Sequence, residues 1–374
     1  MDKIYIYKQD KYDLKEIKRI VEKIFQKSGF TEELIPGKTA FLKVNLLRAS
    51  HPDKAVTTHP IFVRGVAEVL LKYGLRVIVG DSPAGPFTIF SLKNIYKECG
   101  LIKELEDIDV EFNYNTEVVN VRCDNSLKLK EFETFKALLD ADLIINLPKL
   151  KTHTMMRYTG AVKNMFGAIV GLTKANYHMR LQRADNFAHH LVDLVECIKP
   201  DFNLMDGIVG MEGDGPSSGD PINSGIILGG KNPHAMDKVA IDFMGYEEEE
   251  IYTVKYARDR GLFDEIDLIG NRVIPMNFKE PKGTQVTFLP PNLPKFIEEI
   301  LLDALKANIV FDRKKCISCG DCKRSCPADV IHYDKEKLPY YDKKGCISCF
   351  CCHEVCPVEA IDVKNPIFAK ILRG

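Results

Sequence analysis

Cysteine is the residue type that most constrains the chemistry available to this sequence. Nine of its twelve cysteines lie between Cys316 and Cys356, in two runs of one form: Cys316-x2-Cys319-x2-Cys322-x3-Cys326-Pro327 and Cys346-x2-Cys349-x2-Cys352-x3-Cys356-Pro357. Soft thiolates at this spacing suit iron–sulfur cores, because the intervening chain wraps its amides around inorganic sulfide and tunes the potential by hydrogen bonding. A pair of zinc sites is the alternative, although zinc is usually held by separated cysteine pairs and not by runs of four ending in Cys-Pro. PADVI follows the first run and PVEAI the second, so the segment reads as an internal duplication with an approximate two-fold axis. Cys351 is an extra thiol, expected beside a cluster without ligating it, or else standing in for Cys352. Cys99, Cys123 and Cys197 are scattered singly, which is the distribution of a metal protein and not of a disulfide framework, and fits a reducing compartment.

The two runs resemble bacterial-type ferredoxins with two 4Fe–4S clusters, in which three close thiolates hold one cubane and the fourth cysteine of each run crosses to the other. That resemblance implies Cys316, Cys319, Cys322 and Cys356 around one cluster, and Cys346, Cys349, Cys352 and Cys326 around the second. Clusters so held form a wire for single electrons. Tyr340, Tyr341, Phe350 and His353 are candidates to shield or tune them, or are simple core.

A second group of polar residues needs a scaffold. Lys149, Lys151 and His153 follow the apolar run DLIINLP, from Asp142 to Pro148, and Arg157, Lys163 and Asn164 come soon after. If DLIINLP is a buried strand, these residues sit at its carboxyl end, where open α/β sheets bind ligands, and can grip a phosphate or carboxylate; a helix starting near Tyr158 would add N–H donors. A solvated basic edge is the plainer reading. From Asp206 to Pro221 five glycines alternate with Asp206, Glu212, Asp214 and Asp220, giving a loop able to approach a ligand closely, with carboxylates that can hold a divalent metal or move protons. It has neither a Walker ending nor a dinucleotide glycine pattern, and it can equally be a mobile turn. Lys43 and Asn45 in KVNLL, and Asp81 at the end of RVIVG, are polar groups in apolar surroundings that need partners if buried. All of these outline one polar cleft.

The elements that would position them alternate helix and strand through the first 270 or so residues, which predicts an α/β fold with a mostly parallel sheet flanked by helices. Leu14, Ile17, Ile20, Val21, Ile24 and Phe25 follow helical spacing, Phe41 to Leu46 reads as a buried strand, and Thr58-x-Pro60 opens a helix that Gly74 can close. RVIVG is a strand; helices follow around Val162 to Val170, up to Ile198, and around Met236 to Met244, with strands near Phe202 to Asp206 and Gly225 to Leu228. The expected organisation is an α/β domain over 1–280, a Pro-rich linker and helix over 281–310, and a small α+β ferredoxin-like domain over 311–374.

Once these motifs are set side by side, LPKLKTHTMMRYTGAVKNMFGAIVG and MDGIVGMEGDGPSSGDP, with GDSPAG before them and NPHAMDKVAID after, resemble the family named domain of unknown function 362, over roughly residues 38 to 250. Members often carry a C-terminal ferredoxin module. The resemblance implies an architecture and a redox association but no substrate.

A net charge of −1 gives no basic field for nucleic acid or an anionic membrane, no run approaches the length of a bilayer span, and the charged N-terminus lacks the pattern of a secretory signal. The reading is a cytoplasmic iron–sulfur oxidoreductase. Its two 4Fe–4S clusters would relay electrons to or from an anionic substrate or cofactor in the α/β domain, with Lys149, Lys151, His153, Lys163, Asp206 and Glu212 as catalytic residues. Lys43, Asn45, Asp81, Asn164 and Asp214 would line the binding site, where a divalent metal or an organic redox cofactor is a further possibility. The expected partner is a redox protein or a small-molecule substrate. Two alternatives stand: a non-catalytic adaptor that docks a partner oxidoreductase, which predicts no substrate pocket and an exposed cluster face, and a non-redox enzyme whose clusters are sensors or staples.

Overall fold

The computed structural model describes residues 1–128, 130–282, 306–334 and 337–366. Its strands, in chain order, are β1 (Asp2–Lys8), β2 (Thr39–Val44), β3 (Arg76–Gly80), β4 (Val110–Phe112), β5 (Val118–Arg122), β6 (Glu131–Phe135), β7 (Leu143–Leu147), β8 (Lys149–His153), β9 (Arg157–Thr159), β10 (Phe202–Glu212), β11 (Asp220–Gly230), β12 (Ile266–Gly270), β13 (Asn308–Phe311), β14 (Ile331–Asp334), β15 (Lys337–Tyr341) and β16 (Ile361–Lys364). Ten strands form one sheet along the path β12-β1-β11-β10-β7-β2-β3-β4, with β8 and β9 branching from β10. From β10 to β4 every pairing on that path is parallel, and β11 alone runs against its neighbours β10 and β1. The chain therefore has the mostly parallel α/β sheet that its alternating elements predict.

The helices follow their expected signals. Leu14–Ser28 is capped by Asp13, whose carboxylate accepts the Glu16 N–H, and ends on Gly29 at φ 72°, a conformation that glycine adopts without a Cβ penalty. It buries Ile17, Ile20, Val21, Ile24 and Phe25 against the sheet, each worth about 1.5–3 kcal/mol in apolar transfer. Pro60 opens the helix Pro60–Lys72, capped by the His59 ring, and Asn232 caps Pro233–Met244. Ala184–Ile198 ends one residue before the site where Pro200 forbids continuation.

Several expectations change. The segment after Asp206 is not a loop: β10 continues to Glu212 and pairs with β11 as a long antiparallel hairpin, leaving only 213–219 between them. Its glycines serve contact, since a Cβ on Gly207 or Gly210 would lie 3.0 Å or less from neighbouring backbone or side-chain atoms. The residues Lys149–His153 form a strand, β8, and not a loop. Cys123 and Cys197, read as isolated thiols, are joined as a disulfide, because the β5–β6 hairpin packs on the end of the helix Ala184–Ile198 and brings residues 74 apart in sequence together. The expected linker and helix over 281–310 lie mostly outside the described residues.

The cysteine-rich module consists of the antiparallel pairs β13–β16 and β14–β15 and two short helices, Asp321–Arg324 and Cys351–Val355. Its duplication is visible in the backbone. Positive φ recurs at positions thirty apart, at Ser318 and Ser348 (55° and 53°), Gly320 and Phe350 (76° and 61°), and Asp329 and Glu359 (50° and 53°). Phe350 accepts a backbone conformation that costs an ordinary side chain about 1–2 kcal/mol. Its ring, 2% exposed, is buried in a cluster that combines Ala307, Ile309 and Ile361 of the module with Phe132, Met155, Val162 and Phe166 of the α/β domain. Module and domain thus share one apolar core. Among the described residues no helix is long and apolar enough to cross a membrane.

Candidate functional site: a cavity between the sheet and the cysteine module

The carboxyl ends of β7, β2 and β3, adjacent in the sheet, deliver Lys149 onward, Asn45 and Asp81 to one edge. The module closes over that edge. Between them lies a cavity with about 90 Å3 of room for water-sized groups, lined on one side by Asn45, Asp81, Lys151, Lys163 and Asn164 and on the other by Ser325, Cys351 and Glu354. Lys174 and His178, one turn apart on the helix Thr173–Arg180, complete the wall.

Each polar group of the wall can be followed to its partners. Lys151 is 1% exposed and donates to Asn45 Oδ1 and to the Val56 carbonyl, both at 2.7 Å. It has no carboxylate, and burial together with nearby Lys163 and Lys149 holds its ammonium well below the usual lysine range. Asn45 then donates to Asn164 Oδ1 (3.0 Å), Asn164 to Asn146 Oδ1 (2.8 Å) and Asn146 to Asn203 Oδ1 (2.8 Å), and Asn203 ends the row on the carbonyls of Gly230 and Lys231. Lys163 has no hydrogen-bond partner among the described residues; its amine stands 6.0 Å over the Phe166 ring and is lowered by burial, with Glu354 opposing. Lys174 donates to Ser82 Oγ and to the carbonyls of Ser82 and Pro83.

Glu354 comes from the module and is the anionic member of the wall. Burial raises its carboxyl, but His153, Lys163 and His178 around it outweigh that and bring it down to about 2. His153 Nε2 lies 3.2 Å from Glu354 Oε1, and its Nδ1 accepts the N–H groups of Met155 and Met156. Burial lowers His153 to about 4, so at neutral pH the ring is uncharged with its one proton on Nε2, facing the carboxylate. Further contacts fasten the module to the domain: Arg48 donates to Pro357 O and stands 3.5 Å from Glu359, Lys54 is 3.7 Å from Glu359, and His353 Nε2 is 3.4 Å from Asp214 O.

Other residues expected in the cleft lie elsewhere. Lys149 turns away and pairs with Asp206 at 2.7 Å, both fully buried, with the Tyr12 hydroxyl and the His59 N–H also on that carboxylate. Lys43 pairs with Asp81 at 2.6 Å beneath Gly167, where an added Cβ would lie 2.2 Å from Asp81 Oδ1. Glu212 and Asp214 clasp the segment after β12 through the N–H groups and amines of Lys279 and Lys282, and do not reach the cavity. Ala161–Asn164 is a single turn whose first N–H groups are taken by the Asp237 carboxylate, which also accepts the Tyr158 hydroxyl; they are not free for an anion. Arg157 reaches Glu250 and Glu280.

Lys174, His178, Glu354 and Asp237 were not singled out from the sequence. The i, i+4 spacing of Lys174 and His178 was the only available signal. Glu354, between two cysteines of the second run, carried none.

The cysteines gather in two sets. Cys316, Cys319, Cys322 and Cys356 line one small pocket, and Cys326, Cys346, Cys349 and Cys352 line another, each otherwise mostly apolar. The thiols surround these volumes instead of converging on a point: among the described residues no three His, Cys, Asp or Glu side chains are placed to hold a single metal ion. The Ala360 N–H donates to Cys356 Sγ at 3.2 Å, a bond of the kind that tunes a cluster. Tyr341 and Phe350 line the second pocket, and Tyr340 is exposed and stacks on His332. Cys351 lines the large cavity and neither cysteine pocket, and its thiol is hydrogen-bonded with that of Cys349 in the second set.

Comparison with known proteins finds two matches along the chain. The model for the domain of unknown function DUF362 matches residues 41–242. The chain belongs to the DUF362 family. A 4Fe–4S dicluster domain matches residues 309–363, so this DUF362 protein carries an iron–sulfur module. It is 34% identical over 231 residues to the thylakoid-associated protein sll1697 of Synechocystis, covering 61% of this chain and 69% of that one. Among solved structures it is similar to a Thermotoga maritima protein (14% identity, TM-score 0.38, 63% of this chain) and to the lactate racemase apoprotein of Thermoanaerobacterium thermosaccharolyticum (14%, 0.37, 65%). The chain spans 60% and 57% of the lengths of those two proteins.

Proposed function

We propose that this protein is a ferredoxin-linked oxidoreductase whose cavity binds an anionic substrate or cofactor within reach of two 4Fe–4S clusters. One observation carries the reading: a single cavity has lysines of the α/β domain on one wall and the neighbours of cluster cysteines on the other. Cys351 and Ser325 adjoin Cys352 and Cys326 of the second set, and Val355 adjoins Cys356 of the first. The two cysteine pockets fit the expected ligand sets, and a cluster bound in each would supply or accept single electrons at that wall.

The chain's own residues divide the remaining work. Lys163, whose amine has no hydrogen-bond partner among the described residues, is the group best placed to meet an anion, with Lys174 and Lys151 adding positive potential. Glu354, ionised beside neutral His153, repels a ligand's anionic end from the module wall and turns it toward the lysines. The adaptor reading predicts no substrate pocket, and the cavity counts against it.

Anaerobic protein reconstituted with iron and sulfide, reduced and titrated with inorganic phosphate or a small dicarboxylate, tests this. The cluster resonance should shift on binding, and Lys163→Gln should weaken binding by about 10- to 100-fold, as loss of a charged hydrogen bond of about 1.5–3 kcal/mol requires. An unchanged resonance with every anion, or an unchanged affinity in the variant, would remove the cavity from the mechanism.

A further inference from the structure

We propose that the loop Lys314–Cys319, over the first cysteine set, is the docking site of a small acidic one-electron carrier protein. The inference rests on the reading of the cysteines as cluster ligands, and its ground is the asymmetry of the module's own duplication. The loops Cys316-Ile-Ser-Cys319 and Cys346-Ile-Ser-Cys349 have the same sequence and share the backbone turn at Ser318 and Ser348. Their surroundings differ. Cys349 is 9% exposed and Ser348 7%, and the following Phe350 is sunk in the core shared with the α/β domain. In the first copy Cys319 is exposed, Ile317 is 61% exposed, and Gly320 takes the place of Phe350. One copy is spent on the interface with the cavity; its twin is left open.

The open copy also has the features of a transient electron-transfer contact. An isoleucine projects beside the thiols, and apolar contact close to the redox centre shortens the path. Arg313, Lys314, Lys315 and Lys323 are exposed around it, and among the described residues none of the four has an ion-pair partner, whereas Arg324 is neutralised by Asp321. Asp312 spends its carboxylate on the Lys314 N–H. On a chain of net charge −1, this basic cluster is a local field, and such a field steers an acidic partner and raises its association rate by about 10- to 1000-fold. The carrier gives or takes one electron through this loop. It is oxidised or reduced by one electron as this protein is reduced or oxidised by one, with no bond made or broken and no proton transferred.

The test is anaerobic stopped-flow mixing of the cluster-loaded protein with a reduced acidic ferredoxin, and separately with reduced methyl viologen as a small cationic donor. The second-order rate with ferredoxin should fall at least about tenfold between roughly 20 and 500 mM salt, and a similar loss should follow Lys314→Glu with Lys315→Glu at low salt. The dye rate and iron content should stay as they were. Lys15→Glu with Lys97→Glu, the same charge change on distant exposed helix positions, should have little effect. A ferredoxin rate indifferent to salt and to the Lys314/Lys315 reversal would overturn the proposal. Loss of the dye reaction and of iron in the unmodified protein would instead indict the cluster assignment itself.

Discussion

Asp206 and Lys149 look catalytic in the sequence and structural in the fold, and Asp206→Asn separates the two. The carboxylate accepts four donors: Lys149 Nζ (2.7 Å) and the His59 N–H (3.0 Å) on Oδ2, and the Tyr12 hydroxyl (3.0 Å) and the Ile208 N–H (3.3 Å) on Oδ1. An asparagine has one oxygen, so in either orientation its NH2 meets donors, and Lys149 is left charged and buried without a counter-ion. Breaking a buried pair from one side costs about 3–5 kcal/mol. At about 2–4 °C per kcal/mol for a large domain, thermal unfolding should drop by about 6–20 °C. The double variant Lys149→Met, Asp206→Leu should recover only the share due to the bare charge, because His59 and Ile208 still lack an acceptor. Scanning calorimetry or near-UV circular dichroism reads the melt, and the phosphate titration reads the cavity. A drop under about 2 °C, near 1 kcal/mol or less, or a fully stable variant that no longer binds anions, would refute the structural assignment.

Further outcomes follow from the cysteine sets and the buried histidines. Cys349→Ala should remove about four of eight irons, one cubane's share, whereas Cys351→Ser should keep full iron and change only the response of the spectrum to ligand; elemental analysis tells them apart. His190 is 1% exposed, neither ring nitrogen has a hydrogen-bond partner among the described residues, and burial lowers it to about 4. Since the folded ring resists protonation that the unfolded chain accepts near pH 6.5, stability falls as pH drops from about 6.5 to 4, by on the order of 3 kcal/mol from this residue. His190→Phe should flatten that acid limb in urea melts taken across pH; an unaltered limb would show that His190 takes up its proton as freely folded as unfolded.

Where function and local pattern coincide, the sequence was readable. The two cysteine runs were legible because their spacing is short-range, whereas the crossover of Cys326 and Cys356 came only from the resemblance to two-cluster ferredoxins, with which the lining of the two cysteine pockets is consistent. RVIVG, DLIINLP and the helix from Leu14 were legible because one buried face dictates their periodicity. The polar cleft was harder, since its members were chosen by type and not by direction. β8 alternates Lys149, Lys151 and His153 along one strand, yet register and neighbours send the first to Asp206, the second to the cavity and the third to Glu354. Glu212 and Asp214 were misplaced for the same reason, being committed to a segment more than sixty residues away. Glu354 was invisible because its importance exists only once the module folds over the sheet.

The row of amides behind Lys151 has a consequence for how the cavity wall is polarised. Lys151, Asn45, Asn164, Asn146 and Asn203 each donate onward in the same sense, from the cavity beside β2 across β7 and β10 to the carbonyls after β11. No single amide can turn over without setting two oxygens or two NH2 groups against each other, so the row reverses as a whole or not at all. It holds its sense whether Lys151 carries two protons or three, since either form still donates. A ligand that drew the amine away from Asn45 would free one end only, since the carbonyls of Ala161, Gly230 and Lys231 accept from the same amides and keep the row in its present sense, so the wall behind the cavity stays polarised one way whether the cavity is filled or empty.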